Sequence, residues 1–191
     1  MPAQLKGLNM RRFMSLAMVM SVTACTTVSG PVAPAFTGQQ GMLQAHNQVR
    51  ARLGLPALTW SGELVRYSQS WANHLVSNNS CRMQHRSHAG SNPKKYGENL
   101  FWGSALKWSD GRRESQKITA QEVAREWAIE VQHYSYSRNS CRPGEQCGHY
   151  TQMVWRDTRQ VGCAMTLCPD QGQIWVCSYN PPGNWVGQRP Y

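Results

Sequence analysis

Three local signatures of hydrolytic and metal-binding sites are missing from this chain. No His-Glu-x-x-His pair places two metal ligands on one helical turn, and no Gly-x-Ser-x-Gly turn presents a nucleophilic serine. No Cys-x-x-Cys knuckle marks a structural zinc site. The cysteines therefore indicate disulfides more than a zinc–thiolate cluster. These absences argue against an ordinary metalloprotease. The only support for a serine nucleophile is that Ser87 and Ser104 flank segments that we expect to form a cleft.

Acidic residues are scarce as well. The chain has 10 Asp and Glu residues against 20 Lys and Arg residues, which gives a formal net charge of +10. Such a basic surface could hold the protein against anionic lipid, polysaccharide or cell wall, or could serve solubility alone. We do not expect a nucleic-acid partner, because the arginines are scattered rather than clustered with stacking aromatic residues.

The N-terminal apolar stretch, residues 13–22, is too short to cross a bilayer. It follows Lys6, Arg11 and Arg12, and this arrangement is typical of a secretory signal. We therefore expect a signal peptide over residues 1–24. Removing its three basic residues from the total leaves a net charge of +7 on the mature chain.

The segment Val22-Thr23-Ala24-Cys25 resembles the lipobox of bacterial lipoproteins, in which the cysteine is lipidated and becomes the first mature residue. Thr26 stands where an aspartate often retains such proteins at the inner membrane, so we expect an outer-membrane lipoprotein in a cell with two membranes. Cleavage without lipidation is the alternative, and it would leave Cys25 as a free thiol on a secreted protein. Residues 25–40 are rich in Thr, Ser, Pro and Gly and predict a flexible tether before one folded domain over residues 41–191.

Without Cys25 the chain keeps an even number of cysteines, which in an exported domain indicates a disulfide framework. The six are Cys81, Cys141, Cys147, Cys163, Cys168 and Cys177. Their spacing alone leaves the pairing open.

Hydrophobic periodicity predicts alternating helices and strands in the domain. Apolar residues at helical spacing predict one helix that ends near Gly54 and a second that begins near Ser61. A capping box that opens with Thr119 begins a third helix, whose inner face we expect to include Val131. A short antiparallel meander is predicted over residues 150–155, 161–167 and 174–179.

Five segments of the chain stand in an order that is informative. They are His46-Asn47-Gln48-Val49-Arg50, Tyr96-Gly97-Glu98-Asn99-Leu100, Trp127-Ala128-Ile129-Glu130, Gly148-His149-Tyr150-Thr151-Gln152-Met153-Val154-Trp155 and Cys177-Ser178-Tyr179-Asn180-Pro181-Pro182-Gly183-Asn184-Trp185. Together they resemble the signature segments of the CAP superfamily, which gathers cysteine-rich secretory proteins, antigen 5 allergens and plant pathogenesis-related group-one proteins. The resemblance covers roughly residues 40–191, and residues 139–191 are especially similar to the plant branch.

The resemblance implies an α/β fold, a three-layer α-β-α sandwich with a small antiparallel sheet, stabilised by disulfides. For the cysteines it implies three pairs: Cys81 with Cys168, Cys141 with Cys147, and Cys163 with Cys177.

The resemblance also implies that His85, His149, Glu98 and Glu130 line one open cleft. Two imidazoles together with carboxylates can bind a divalent cation, and zinc is the ion we expect. Glu98 or Glu130, when not ligating, could act as general base toward a metal-bound water, so a divalent-metal-dependent peptidase is one alternative function. For His46 we expect packing and hydrogen bonding rather than catalysis.

Members of this family have been linked to sterol and lipid binding and to wall or membrane association. The first hypothesis is therefore a non-enzymatic binding module for a sterol, a lipid or an envelope component, with Trp102 and Trp108 as candidate lipid contacts. A structural envelope module that presents loops to a protein partner is a further alternative. Residues 103–117 depart most from the plant pattern, so ligand specificity does not transfer directly from it.

Overall fold

The computed structural model describes residues 38–88, 90 and 92–191. The predicted signal peptide, Cys25 and nearly all of the predicted tether lie outside these residues. In the part of the chain that is described, no helix is both long and apolar enough to cross a membrane.

The described residues form helices and short strands in mixed order. The α-helices are α1 (Gln39–Arg52), α2 (Gly62–Asn78), α3 (Ala120–Ala128) and α4 (Gly148–Met153). The strands are β1 (Thr59–Trp60), β2 (Gly97–Gly103), β3 (Ala105–Lys107), β4 (Arg113–Ser115), β5 (Tyr134–Ser135), β6 (Ser140–Cys141), β7 (Gln160–Leu167) and β8 (Gln173–Asn180).

A four-stranded sheet forms the middle layer, with its strands in the order β1, β7, β8 and β2. β7 and β2 both pair antiparallel with β8, whereas the two-residue β1 runs parallel to β7. Residues 173–179 of β8 are all buried. A strand that is buried on both faces requires a layer of structure on each side of the sheet.

Helix α2 covers one face of this sheet, and α1, α3 and α4 cover the other. Side chains of β8 alternate between the two layers, as the pleat of a strand dictates. Ile174 and Val176 pack in one apolar cluster with Trp71 of α2, whereas Trp175 and Tyr179 pack in the cluster formed with the other three helices. The three-layer α-β-α prediction is confirmed.

The predicted helix ends have a local chemical cause. Helix α1 ends just before Gly54, whose φ of 64° lies in the left-handed region that favours glycine. Helix α2 begins after Ser61, whose hydroxyl oxygen accepts a hydrogen bond from the backbone N–H of Leu64. Helix α3 begins with the complete capping box that Thr119 and Glu122 form.

Two details of the predicted secondary structure are wrong. The first predicted strand of the meander, residues 150–155, lies mostly in the short helix α4. Short apolar runs do not distinguish strand from helix, and here Tyr150 and Met153 reach the core together because a helix brings residues three apart to one face. Val131 is 48% exposed, since α3 ends at Ala128 and the chain continues as a 3-10 helix over Ile129–His133 with a different angular step.

The three implied disulfides are confirmed: Cys81–Cys168, Cys141–Cys147 and Cys163–Cys177. The last of these joins directly opposed residues of β7 and β8. The first ties the segment after α2 to the end of β7, and the second closes a short loop immediately before α4.

Candidate functional site

His85 lies in the segment after α2 and faces Glu98 of β2. Its Nδ1–H donates to Oε1 of Glu98 at 2.8 Å, and the backbone N–H of Arg86 donates to the same oxygen at 3.0 Å. The glycine before Glu98 has a steric reason, because a Cβ at Gly97 would collide with the side-chain oxygen of Gln152 in α4. Close packing of β2 against α4 therefore requires glycine immediately before Glu98.

His149 forms a second imidazole–carboxylate pair, with Glu130 of the 3-10 helix. Its Nδ1–H donates to Oε1 of Glu130 at 2.6 Å. The other carboxylate oxygen accepts the backbone N–H groups of His149 at 3.0 Å and of Tyr150 at 3.1 Å. The change from α-helix to 3-10 helix that exposes Val131 thus accompanies the placement of Glu130 against the start of α4.

Both histidines line one cleft of about 300 Å³. Glu98 contributes to its wall, whereas Glu130 lies outside the lining and contacts His149. Sequence reasoning did not single out three further polar lining residues, which are Asn99, Gln146 and Asn184. Asn99 and Asn184 belong to the quoted signature segments, but Gln146 carries no sequence signal.

The two pairs leave one nitrogen of each imidazole available. A carboxylate only accepts hydrogen bonds, so Nδ1 of His85 and of His149 must carry the hydrogen, and in the neutral ring Nε2 keeps its lone pair. Neither Nε2 makes a hydrogen bond to the described part of the chain. Such carboxylate contacts orient an imidazole for metal binding.

Among the residues that the structure describes, no group of three or more His, Cys, Asp or Glu side chains is spaced to hold a metal ion. The cleft therefore offers two imidazole nitrogens rather than a complete set of protein ligands. A cation held there would complete its coordination with water or with a bound molecule. The predicted four-residue metal site stays a prediction.

A buried chain of hydrogen bonds connects this cleft to α1. His46 donates from Nδ1 to the carbonyl of Met42 at 2.8 Å and accepts the Tyr179 hydroxyl at Nε2, also at 2.8 Å. The Asn99 amide donates both to the Tyr179 oxygen at 3.0 Å and to the carbonyl of His149 at 3.1 Å. His46 therefore has the packing and hydrogen-bonding contacts expected of it.

Burial sets the charge states in this chain of contacts. Loss of solvent lowers the pKa of His46 to about 4, more than the contact with the Met42 carbonyl raises it. Burial also raises the pKa of Tyr179 well above its ordinary value. Both groups are neutral near pH 7, which matches their roles as donor and acceptor.

The two candidate lipid contacts are exposed. Trp102 of β2 is 44% exposed and Trp108, in the turn between β3 and β4, is 47% exposed. Trp102 lines a groove of about 740 Å³ together with Val76, Met83 and Pro169. This groove is separate from the histidine cleft, because the two share no lining residue.

Comparison with known proteins places this chain in one family. The model of the cysteine-rich secretory protein family, CAP, matches residues 43–179. The chain is 40% identical over 157 residues to pathogenesis-related protein 1C of Nicotiana tabacum, with 82% of this chain and 83% of the relative covered. It is 43% identical over 146 residues to pathogenesis-related protein PR-1 of Medicago truncatula, with 76% and 74% covered.

The fold has solved counterparts as well. The venom allergen-like protein 4 of Schistosoma mansoni superposes with a TM-score of 0.60 at 22% identity, covering 81% of this chain and 94% of that protein. The chain belongs to the CAP family of cysteine-rich secretory proteins. Within it, this is a CAP-domain protein of the PR-1 type, and its disulfides together with its PR-1 relatives indicate an exported protein.

Proposed function

We propose that this protein is a non-enzymatic binding module of the cell envelope whose cleft binds a divalent cation, most favourably zinc. The observation that carries the proposal is that His85 and His149 line one cleft, each with Nδ1 held by a carboxylate. Imidazole nitrogen suits zinc better than it suits magnesium or calcium, which prefer oxygen. Two protein ligands predict weak, exchangeable binding.

Hydrogen bonds occupy both carboxylate oxygens of Glu130 but only one of Glu98. Glu98 accepts two hydrogen bonds at one oxygen, and Glu130 accepts three in total. A general base needs a free lone pair within reach of the proton that it removes. The metal-dependent peptidase remains the alternative, with Glu98 as its candidate base, because the second carboxylate oxygen of Glu98 accepts no hydrogen bond from the described residues.

Calorimetric titration of the purified protein with zinc tests the cation site. We expect binding to wild type and loss of at least about tenfold in affinity in the His85→Ala, His149→Ala double variant, because each imidazole supplies one ligand. His74→Ala is the control, since His74 is an exposed residue of α2 that stacks on Trp71. Equal binding by wild type and the double variant, or no binding by either, would rule the site out.

A lipid ligand is the second candidate, and the groove beside Trp102 favours it. Met83 and Trp102 expose apolar surface there, and Val76 and Pro169 add to the lining. Apolar pockets of several hundred Å³ are the usual seats of small hydrophobic ligands. We propose that a sterol or acyl chain lies in this groove.

Transfer of a fluorescent sterol from vesicles tests this second candidate. We expect the Trp102→Ala, Trp108→Ala variant to lose most of the transfer, because Trp102 lines the groove and both indoles are exposed apolar surface. Ile129→Ala is the matched control, since Ile129 is an exposed apolar residue on the 3-10 helix. Unchanged transfer by the double variant would count against the groove whatever the zinc titration shows.

Membrane attachment is proposed to depend on lipidation of Cys25, with one lipidated N-terminus carrying enough acyl chain for stable anchoring. Cys25→Ser should move the protein from the membrane fraction to the soluble exported fraction. A protein that stays with the membrane after that change would favour the envelope module, which is held by a protein partner.

A further inference from the structure

Three neighbouring pockets share lining residues at and around the disulfide-closed loop Cys141–Cys147. The histidine cleft shares Cys147, Gly148 and Asn184 with a second pocket of about 310 Å³. That second pocket shares Tyr134, Ser140 and Cys141 with a third pocket of about 550 Å³. Neighbouring pockets offer an extended ligand with repeating units several contact sites.

We propose that the second and third pockets form a binding groove for an acidic glycan, a polysaccharide that carries carboxylates on its sugar rings. The second pocket would hold a sugar ring and the third would hold a carboxylate. This site goes beyond the cation cleft and the lipid groove proposed above, and it depends on neither.

Trp185 supplies the stacking surface of the second pocket. Its side chain is 54% exposed and makes no hydrogen bond or ring contact with the described residues. An exposed indole is an apolar plane with a polar edge, which matches the C–H face and the hydroxyl rim of a pyranose ring. The exposed indole therefore offers a ligand a stacking surface that no described residue occupies.

The polar groups around Trp185 are held in place and keep unused hydrogen-bonding capacity. Asn184 donates to the carbonyl of Gly148 at 2.8 Å and accepts the Thr151 hydroxyl at 2.7 Å. Asn139 donates to the carbonyl of Gln188 and accepts the Tyr134 hydroxyl. Because an amide offers two donors and two lone pairs, each of these side chains can still bond sugar hydroxyls.

The third pocket is basic. Arg138 and Arg142 line it, and neither has an ion pair among the described residues. Over residues 131–156 the only carboxylate is Glu145, which lies 3.6 Å from Nε2 of His133. Nδ1 of His133, also in this lining, is buried without a hydrogen-bond partner. Two guanidinium groups without an ion-pair partner suit an incoming carboxylate, whereas the buried Nδ1 of His133 does not reach it.

An acidic peptide is the competing ligand, and the groove suits it less well. Peptides usually bind by adding a strand to a sheet edge or by placing apolar side chains in deep pockets. The second pocket instead presents amides and hydroxyls around one exposed indole. This chemistry is the one that sugar recognition needs.

Calorimetry at physiological salt with defined hexasaccharides and one acidic peptide tests the groove. The probes are hexagalacturonate, hexaguluronate, the fully methyl-esterified hexagalacturonate and hexaglutamate, titrated with a chelator present so that the cation cleft does not contribute. We expect at least one of the two uronate hexamers to bind. The methyl-esterified hexamer and hexaglutamate should each bind at least about tenfold more weakly, because the arginines must meet a carboxylate held on a sugar ring.

The matched variants locate the site. Arg138→Ala, Arg142→Ala should lower uronate affinity by about tenfold or more, whereas Arg112→Ala, Arg113→Ala in the other hairpin removes the same charge and should leave it within about twofold. Trp185→Ala should lower uronate affinity by a similar factor, and Trp185→Phe should retain part of that affinity. Thermal melting of each variant shows that the fold is kept.

Three results would overturn the proposal. One is no binding of either uronate hexamer. Another is an equal loss in both arginine pairs, which would show only attraction to a basic surface. The third is tighter binding of hexaglutamate than of the uronates, which would identify an acidic protein segment as the ligand.

Discussion

His46 shows how much a single buried polar side chain contributes to this fold. It lies fully buried between α1 and β8, and both ring nitrogens have partners. Burial lowers its pKa to about 4, from about 6.5 in an unfolded chain. The folded protein therefore holds this imidazole neutral at pH values where the unfolded chain would protonate it.

This pKa shift predicts acid sensitivity in a defined window. Above about pH 6.5 the contribution of His46 is complete, and it is lost as the pH falls toward 4, because the unfolded state then binds the proton more strongly. The loss should reach about 2–3 kcal/mol of unfolding free energy. Denaturant unfolding at pH 7 and pH 4.5 measures it, with His46→Gln as the control that cannot titrate. If His46→Gln shows the same pH dependence as wild type in that window, other groups cause it.

Glu130 is the residue on which the orientation of His149 depends. Replacing Glu130 with Gln should lower zinc affinity by about tenfold without removing a ligand, because the imidazole loses a charged partner that fixes its ring. Glu126→Gln, an exposed change in the same helical segment, should leave zinc binding unchanged. If Glu130→Gln binds zinc as wild type does, Glu130 serves only to hold the start of α4.

At the scale of elements, Arg50 joins α1 to the segment that leads from α4 to β7. Its guanidinium is fully buried and donates to five backbone carbonyls rather than to a carboxylate. The nearest contacts are with the carbonyls of Pro56 at 2.7 Å and Trp155 at 2.8 Å. The planar guanidinium of an arginine offers five N–H donors, whereas the ammonium of a lysine offers three.

Arg50→Met should lower the free energy of unfolding by about 3–5 kcal/mol, since it leaves several buried carbonyls without donors. Arg52→Met, an exposed change two residues along α1, should cost less than about 0.5 kcal/mol. Denaturant unfolding of the two variants beside wild type gives the comparison. Similar stability of the two would mean that water replaces the guanidinium at no cost.

For the whole molecule, the three disulfides close loops of very different length. Cys81–Cys168 spans 87 residues and crosses between layers, whereas Cys141–Cys147 spans 6. In the chain-entropy account, a longer closed loop restricts the unfolded state more. The long-range disulfide should therefore contribute most to stability, and the short one should chiefly shape its own loop.

Removing Cys81–Cys168 by double alanine substitution should cost about 2 kcal/mol more than removing Cys141–Cys147. Thermal and denaturant unfolding of the two double variants measure the difference. If the proposed glycan groove is correct, the Cys141→Ala, Cys147→Ala variant should also lose uronate binding while it stays folded. An equal cost for the two disulfides would contradict the loop-length account.

Much of this architecture was predictable because its signals are local. The capping box at Thr119, the turn at Gly54 and the strands over residues 161–167 and 174–179 depend on neighbours in the chain. The strand predicted over residues 150–155 failed for the opposite reason. Its first four residues lie in the short helix α4 because the core formed with α1 and α3 accepts Tyr150 and Met153 together, and no local pattern predicts that.

The sequence by itself determined the family, the layered fold and the disulfide framework. It also singled out the two histidines and two glutamates that are the candidate site residues. Only the tertiary structure decided that each glutamate holds an imidazole through Nδ1, that Glu130 stays outside the cleft lining, and that three neighbouring pockets share lining residues at and around the Cys141–Cys147 loop. The physical reason is separation along the chain. Motifs specify which side chains are present, but their relative orientation is set when distant elements pack on the two faces of the sheet.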